Sequence, residues 1–195
     1  VGGGWVIWLN YTLITIIAVL GLNVVTGMTG QISLGHAAFV MVGGYTLGSL
    51  TMHAGWPYWA AIPGAVLVSA LLGALISIPA MRLKGFYVAV VTLAFFFVAQ
   101  FVIGKLDFLG SAMGLLGIPS PVVLGFKFRG DLAWYYLLLP IMVLMVIGAA
   151  NLRRSRLGRA MLAVRDNEVA AASLGIQVSR IKLIAFFVAG LYGGL

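Results

Sequence analysis

The chain has 195 residues, of which 63% are hydrophobic and 8% charged, with a mean hydropathy of +1.13. A soluble domain carries about 25% charged residues, so too little polar surface exists here to cover a particle in water, and an integral membrane protein is expected. The formal charge of +8 does not point to nucleic acid, because the basic residues sit at the ends of apolar segments rather than on one folded face.

The apolar runs are continuous and roughly 20 residues long, which favours helical spans over barrel strands of about 10 alternating residues. The expected fold class is all-α, a polytopic transmembrane helical bundle, with residues 1–195 forming a single domain. The sequence has no Cys, which removes disulfide and thiol chemistry. Val1 to Trp8 carry no cleavable signal pattern. Val188 to Leu195 stop partway through an apolar run, so a fragment cut at the C-terminal end is expected.

Segment one covers residues 5–25, without charge, and groups Trp5, Trp8 and Tyr11 at one end like an interfacial belt. Next come Thr26 to Tyr45, where Gly27, Gly30 and Gly35 punctuate the chain and Gln31, Ser33 and His36 interrupt its apolar character. Segment two, residues 34–52, holds an apolar piece from Ala37 to Met52 that is short for a hydrocarbon layer of about 30 Å. Two readings stand: a cytoplasmic turn before a short span, or a helix broken within the membrane where protein or a watery cavity shields the backbone. Gly44 and Gly48 form a GxxxG pattern that permits close helix contact.

Segment three covers 59–81, with Trp56 and Pro57 before it and Arg82 and Lys84 after it. Segment four covers 86–103 and carries Phe95, Phe96 and Phe97, which read as packing or lipid-facing bulk. Lys105 to Asp131 is a polar linker containing Gly110, Gly114, Gly117, Pro119 and Pro121. Segment five covers 132–150, a polar loop follows over 151–182, and segment six covers 181–195, where Gly190 and Gly194 suit helix packing. Asn23, Thr92 and Gln100 are polar groups at membrane depth, and interhelical hydrogen bonding is their expected use.

The 151–182 loop holds seven of the twelve basic residues, Arg153, Arg154, Arg156, Arg159, Arg165, Arg180 and Lys182. The positive-inside rule then places it, and the turn after segment three, in the cytoplasm. The 105–131 linker and the start of segment one fall outside. Within the loop, Ser155 can cap a helix whose apolar positions are Leu157, Met161 and Val164. Asp166 or Asn167 can cap a second helix from Glu168 to Leu174, carrying Ala170, Ala171 and Ala172. Gly175 suits the left-handed position after it, with Ile176 as the apolar residue beyond. An equally plain reading of the physics is a surface helix on anionic lipid headgroups.

Three passages carry a family resemblance: GLNVVTGMTGQISLGHAAFVMVGGY, LKGFYVAVVTLAF and SRLGRAMLAVRDNEVAAASLGIQVSRIKLIAF. Together they resemble permease subunits of bacterial ABC importers for branched-chain amino acids, the LivM type. The resemblance implies the ABC importer permease fold in a bacterial plasma (inner) membrane. It implies two cytoplasmic ATPase subunits, a second permease subunit and an external substrate-binding protein as partners, beside membrane lipid and an amino-acid-like substrate. It also implies that Asp166, Asn167, Glu168, Ala170, Ala171 and Gly175 belong to the coupling helix that docks on the ATPase. The chain departs from the wider importer pattern of Glu-Ala-Ala, three residues, then Gly: Val169 follows Glu168, and Gly175 lies one position later. Family members are longer, so further spans are expected beyond this sequence.

Gln31, Ser33 and His36 are candidates for a substrate path or gate, since a broken helix exposes backbone groups that can receive a zwitterion. The rival is that they satisfy one another and the turn backbone. The chain has no phosphate-binding Gly-rich loop followed by Lys and Ser or Thr. No enzyme activity or cofactor of its own is therefore expected, with ATP and Mg bound by the partner ATPase. Related permeases for urea or short amides are one alternative. An ion-coupled transporter is another, although the four acids, Asp107, Asp131, Asp166 and Glu168, all fall in predicted loops. A passive channel does not require a structured cytoplasmic loop. An intramembrane enzyme is the weakest candidate, because neither His36 nor His53 has a carboxylate nearby in sequence.

Overall fold

The computed structural model describes residues 3–83, 85–109, 114–115, 122–123, 126–127 and 130–195. Lys84, Gly110, Gly117, Pro119, Pro121 and Arg129 lie outside the described residues. The fold is an all-α helical bundle, with one minor antiparallel strand pair in the linker.

Helix α1 runs Gly3–Leu22 and continues as one π-helical turn, Asn23–Met28. A non-helical passage then leads to α2, His36–Met52. Helix α3 is Tyr58–Met81 and α4 is Phe86–Lys105. The linker holds a 3₁₀ turn, Asp107–Leu109, and pairs β1, Val122–Val123, with β2, Phe126–Lys127, in the register Val122 to Lys127. Helix α5 is Asp131–Arg154, α6 Arg156–Asp166, α7 Glu168–Ser173 and α8 Val178–Gly193.

Four of the described helices are long and apolar enough to cross a membrane: Gly4–Met28, Tyr58–Met81, Phe86–Lys105 and Asp131–Arg154. At 1.5 Å per residue a 24-residue helix such as α3 reaches about 36 Å, past the hydrocarbon thickness. The 17 residues of α2 reach about 25 Å. Exposed Trp5, Val19, Leu71, Phe97 and Leu144 give these helices apolar outer faces that suit lipid.

Helix α8 lies at the centre, against α1, α2 and above all α3. Small residues make that approach possible. A Cβ on Gly190 would stand 2.8 Å from Ala70 Cα, and one on Gly194 would stand 2.9 Å from Val66 Cα. Close backbone contact of this kind gains dispersion energy in lipid, where no hydrophobic force pushes helices together. The α2 contact differs from the predicted Gly44–Gly48 pattern. Gly44 has nothing within 4 Å of an added Cβ, whereas a Cβ on Gly43 would sit 2.6 Å from Gly194 Cα. The face of α2 that meets α8 is therefore one residue away from Gly44. Ser69 Oγ donates to the Phe39 carbonyl at 3.0 Å and ties α3 to α2.

Helix α5 is peripheral, has no buried residues, and packs mainly on α1. Its contacts include the Tyr192 hydroxyl, which donates to the Met145 carbonyl at 3.0 Å. It also runs four residues past the predicted end, through Arg153 and Arg154. Cations at a helix C-terminus complement the macrodipole, so basic residues extend the helix instead of stopping it.

Candidate coupling element and translocation groove

Two helices, α6 and α7, form the polar loop, and each starts on a cap readable in the sequence. Ser155 Oγ accepts the Gly158 N–H at 3.1 Å. Of the two candidates for the second cap, Asn167 holds the position: its Oδ1 accepts from Val169 N at 2.9 Å and Ala170 N at 3.0 Å. Asp166 is the exposed last residue of α6. Gly175 has φ +83°, and α7 ends in a Schellman closure. There Gly175 N donates to the Ala172 carbonyl at 3.0 Å and Ile176 N to the Ala171 carbonyl at 3.1 Å.

The inner face of this element is built into the bundle. Met161 and Val164 of α6 and Ala171 of α7 share one buried cluster with Val24, Val25, Phe39, Ala185 and Phe186 of the neighbouring helices. Leu157, predicted on that face, is exposed, and Gly158 is buried in its place. The reason is the corner with α5, where a Cβ at Gly158 would overlap the Leu152 carbonyl. The outer face of α7 carries Val169, Ala170, Ala172 and Ser173, and Leu174 caps it; Val169 is 69% exposed and Leu174 80%.

Glu168 does not turn outward with them. Its Oε1 lies 2.7 Å from Lys182 Nζ on α8, and Lys182 is 1% exposed. Arg165 makes a second tie, donating from Nη1 to the Gly27 carbonyl at 2.7 Å. Its Cγ lies against Gly30, whose φ is +71°. Sequence reasoning counted Lys182 and Arg165 only as basic residues of the loop. A lysine that falls on the apolar face of α8, beside Ile181, Ala185 and Phe186, was the available signal.

The second region is the passage between the π turn and α2. Val25 O accepts from Thr29 Oγ1 at 2.7 Å and from Gln31 N at 3.2 Å, which closes the π turn. Leu34 N, in the non-helical passage, donates to Thr92 Oγ1 at 3.0 Å, and Thr92 Oγ1 donates to the Ala89 carbonyl at 2.9 Å within α4, so Thr92 ties that passage to α4 and does not make the expected bond between helices. Asn23 and Gln100 are exposed. A Cβ on Gly35 would overlap the Thr92 carbonyl, so this crossing of chain and α4 demands glycine.

Ser33 and His36 come together on an open groove of about 650 Å³, walled by Leu22 of α1, Val40 and Met41 of α2 and Phe96 of α4. The His36 ring packs edge-on to Phe39 at 5.5 Å and lies over Gly21. Gln31 is not on the groove wall; its Nε2 donates to Thr29 Oγ1 at 3.2 Å. Ser33 Oγ, Gln31 Oε1 and both His36 nitrogens are buried without a well-formed hydrogen bond, although the Ala18 backbone approaches the ring. Among the described residues no group of three His, Asp or Glu side chains comes together as a metal site.

Residues 4–195 match the family described as branched-chain amino acid transport system / permease component. The chain belongs to this family. It is 34% identical over 207 aligned positions to the high-affinity branched-chain amino acid transport system permease protein LivM of Salmonella typhimurium. To the LivM protein of Escherichia coli it is 33% identical. Each alignment covers 94% of this chain and 49% of the relative, so the chain spans about half the length of the curated relatives it matches. No solved structure matches it. The family's permease subunits are transport proteins and not themselves enzymes, and the apolar helices make this a multi-pass membrane chain.

Proposed function

We propose that this chain serves as permease in an ATP-driven importer of branched-chain amino acids in a bacterial inner membrane. In this reading α6 and α7 face the cytoplasm. Two ATPase subunits hydrolyse ATP with Mg, a second permease subunit completes the path, and an external binding protein delivers substrate. The outer face of α7 is the surface on which an ATPase docks. The observation that carries this is the division of α7 into two faces. Its inner face is packed and capped, while Val169 and Leu174 stand exposed on an element too polar at its ends to enter lipid. Small neighbours, Ala170 and Ala172, let a partner's backbone come close.

Ser33 and His36 line the substrate path in the same reading. The groove wall is apolar, which suits a branched aliphatic side chain, and Ser33 Oγ and the His36 nitrogens, buried behind that wall, meet a charged end when the groove opens onto them. Docking is tested by purifying the intact importer and asking whether an ATPase accompanies it. Leu174→Asp and Val169→Asp are expected to release the ATPase while the permease remains in the membrane. Uptake that persists with no ATPase present would overturn the reading.

A further inference from the structure

Lys182 stands out as the buried cation of the described residues. Lysine is rarely buried unless it is paired, and here the partner is Glu168, the first residue of α7. The pair links α7 to α8, whose neighbouring residues Ala171, Ile181 and Ala185 belong to the buried apolar cluster. Glu168 keeps 31% of its side chain exposed, so the ammonium carries most of the desolvation cost and the carboxylate is what offsets it. What the charges add is resistance to separation. Apolar surfaces can slide past one another, but pulling a buried ammonium from its carboxylate leaves an uncompensated charge.

Arg165 completes the arrangement from the other side. It leaves α6 at the residue before Asp166 and reaches the Gly27 carbonyl inside the π turn. Turns of this type interrupt regular helix packing and occur often at functional sites. Six residues after Gly27 the chain reaches Ser33, and nine residues after it His36. The α6–α7 element is thus tied to the central helix by one cation and, by another, to the π turn between Leu22 and Ser33, two residues of the groove wall.

We infer that Lys182 and Arg165 are positioning residues for coupling: Lys182 makes α7 and α8 move as one body, and Arg165 carries the same displacement to the π turn that leads the chain to Ser33 and His36. This rests on the reading of α7 as the ATPase-docking helix. Neither side chain touches substrate or nucleotide. Glu168 acts here as an internal anchor for α7, and the docking contact is left to Val169 and Leu174.

The test is the number of leucine molecules imported per ATP hydrolysed by the intact importer in proteoliposomes, measured beside the amount of ATPase that co-purifies. The double variant Lys182→Met with Glu168→Gln keeps shape and removes both charges. It is expected to retain the ATPase and its hydrolysis while the import ratio falls about tenfold, the size of an ordinary coupling free energy. The exchanged pair, Lys182→Glu with Glu168→Lys, is expected to recover part of the ratio, which a purely space-filling role would not produce. Arg165→Gln alters only an exposed side chain and is expected to lower the ratio severalfold. It decides the matter if the buried variant fails to insert. An unchanged ratio in either variant, with ATPase bound and hydrolysing, overturns the linkage. Absence of any ATPase from the unmodified importer instead overturns the docking reading beneath it.

Discussion

The passages 29–36 and 155–175 both break the run of apolar helices with polar residues, yet they treat their polar atoms in opposite ways. In the second, Ser155, Asn167 and the Gly175 closure meet the free ends of α6 and α7, and Glu168 pairs with Lys182. In the first, Gln31 Oε1, Ser33 Oγ and both His36 nitrogens are shut away from solvent without well-formed partners. Each such group costs about 1–3 kcal/mol relative to a satisfied one. That cost is what the proposed substrate path would offset, if a passing molecule supplies the missing partner. The 155–175 passage is satisfied within the fold, whereas the 29–36 passage keeps buried polar atoms without partners.

The largest expected effect tests whether the 29–36 passage is nonetheless rigid. Gly35→Ala drives a Cβ into the Thr92 carbonyl, and neither backbone can retreat without breaking the Leu34–Thr92 bond. A loss of about 3 kcal/mol or more is expected, at the upper end of core overpacking, read as reduced abundance in the membrane and a lower Tm. Gly44→Ala is the matched control, because nothing lies within 4 Å of the added carbon. Equal abundance of the two variants would show that the passage is soft.

A smaller effect tests the 155–175 passage. Asn167→Ala removes the acceptor of two N–H groups and is expected to cost about 1 kcal/mol. Gly175→Ala forces a Cβ into a left-handed backbone and is expected to cost about 1–2 kcal/mol. Both are measured by thermal unfolding of the purified complex, with faster amide exchange at Val169 and Ala170 marking a frayed α7 in the first. A protected α7 in Asn167→Ala would mean that the buried Ala171 and the Lys182 pair hold the helix without its cap.

The legible features were those set by neighbours in sequence. Ser155, Asn167 and Gly175 each act within three residues, so helix ends in the loop could be read directly. The π turn could not, since one extra residue per turn leaves no mark on a sequence that is apolar around the whole helix. Gly43 in place of Gly44, and Gly158 in place of Leu157, are choices of face made by α8 and α5, which local spacing does not encode. The groove was half legible. Ser33 and His36 share it, but Gln31, two residues before Ser33, turns its amide back to the Thr29 hydroxyl that bonds the Val25 carbonyl. Lys182 escaped because a count of basic residues treats every cation as solvated, and burial is decided by how α7 meets α8.

The smallest expected change in stability is also the sharpest test of the groove. Ser33→Ala removes a hydroxyl that makes no hydrogen bond and keeps the Cβ that packs. Deleting an unsatisfied buried group relieves its desolvation cost, so stability should hold or rise slightly, by less than about 1 kcal/mol. If Ser33 lines the path, leucine uptake by the intact importer falls even though the permease is as abundant and as stable as before. His36→Leu extends the same logic with a larger group. Its ring also packs on Phe39 and over Gly21, so some loss of stability is expected and uptake must be compared at equal abundance. Lower uptake with unimpaired stability in Ser33→Ala would mark the hydroxyl as serving a passing molecule, since the fold makes no use of it. Full uptake in both variants at normal abundance would remove the groove from the path.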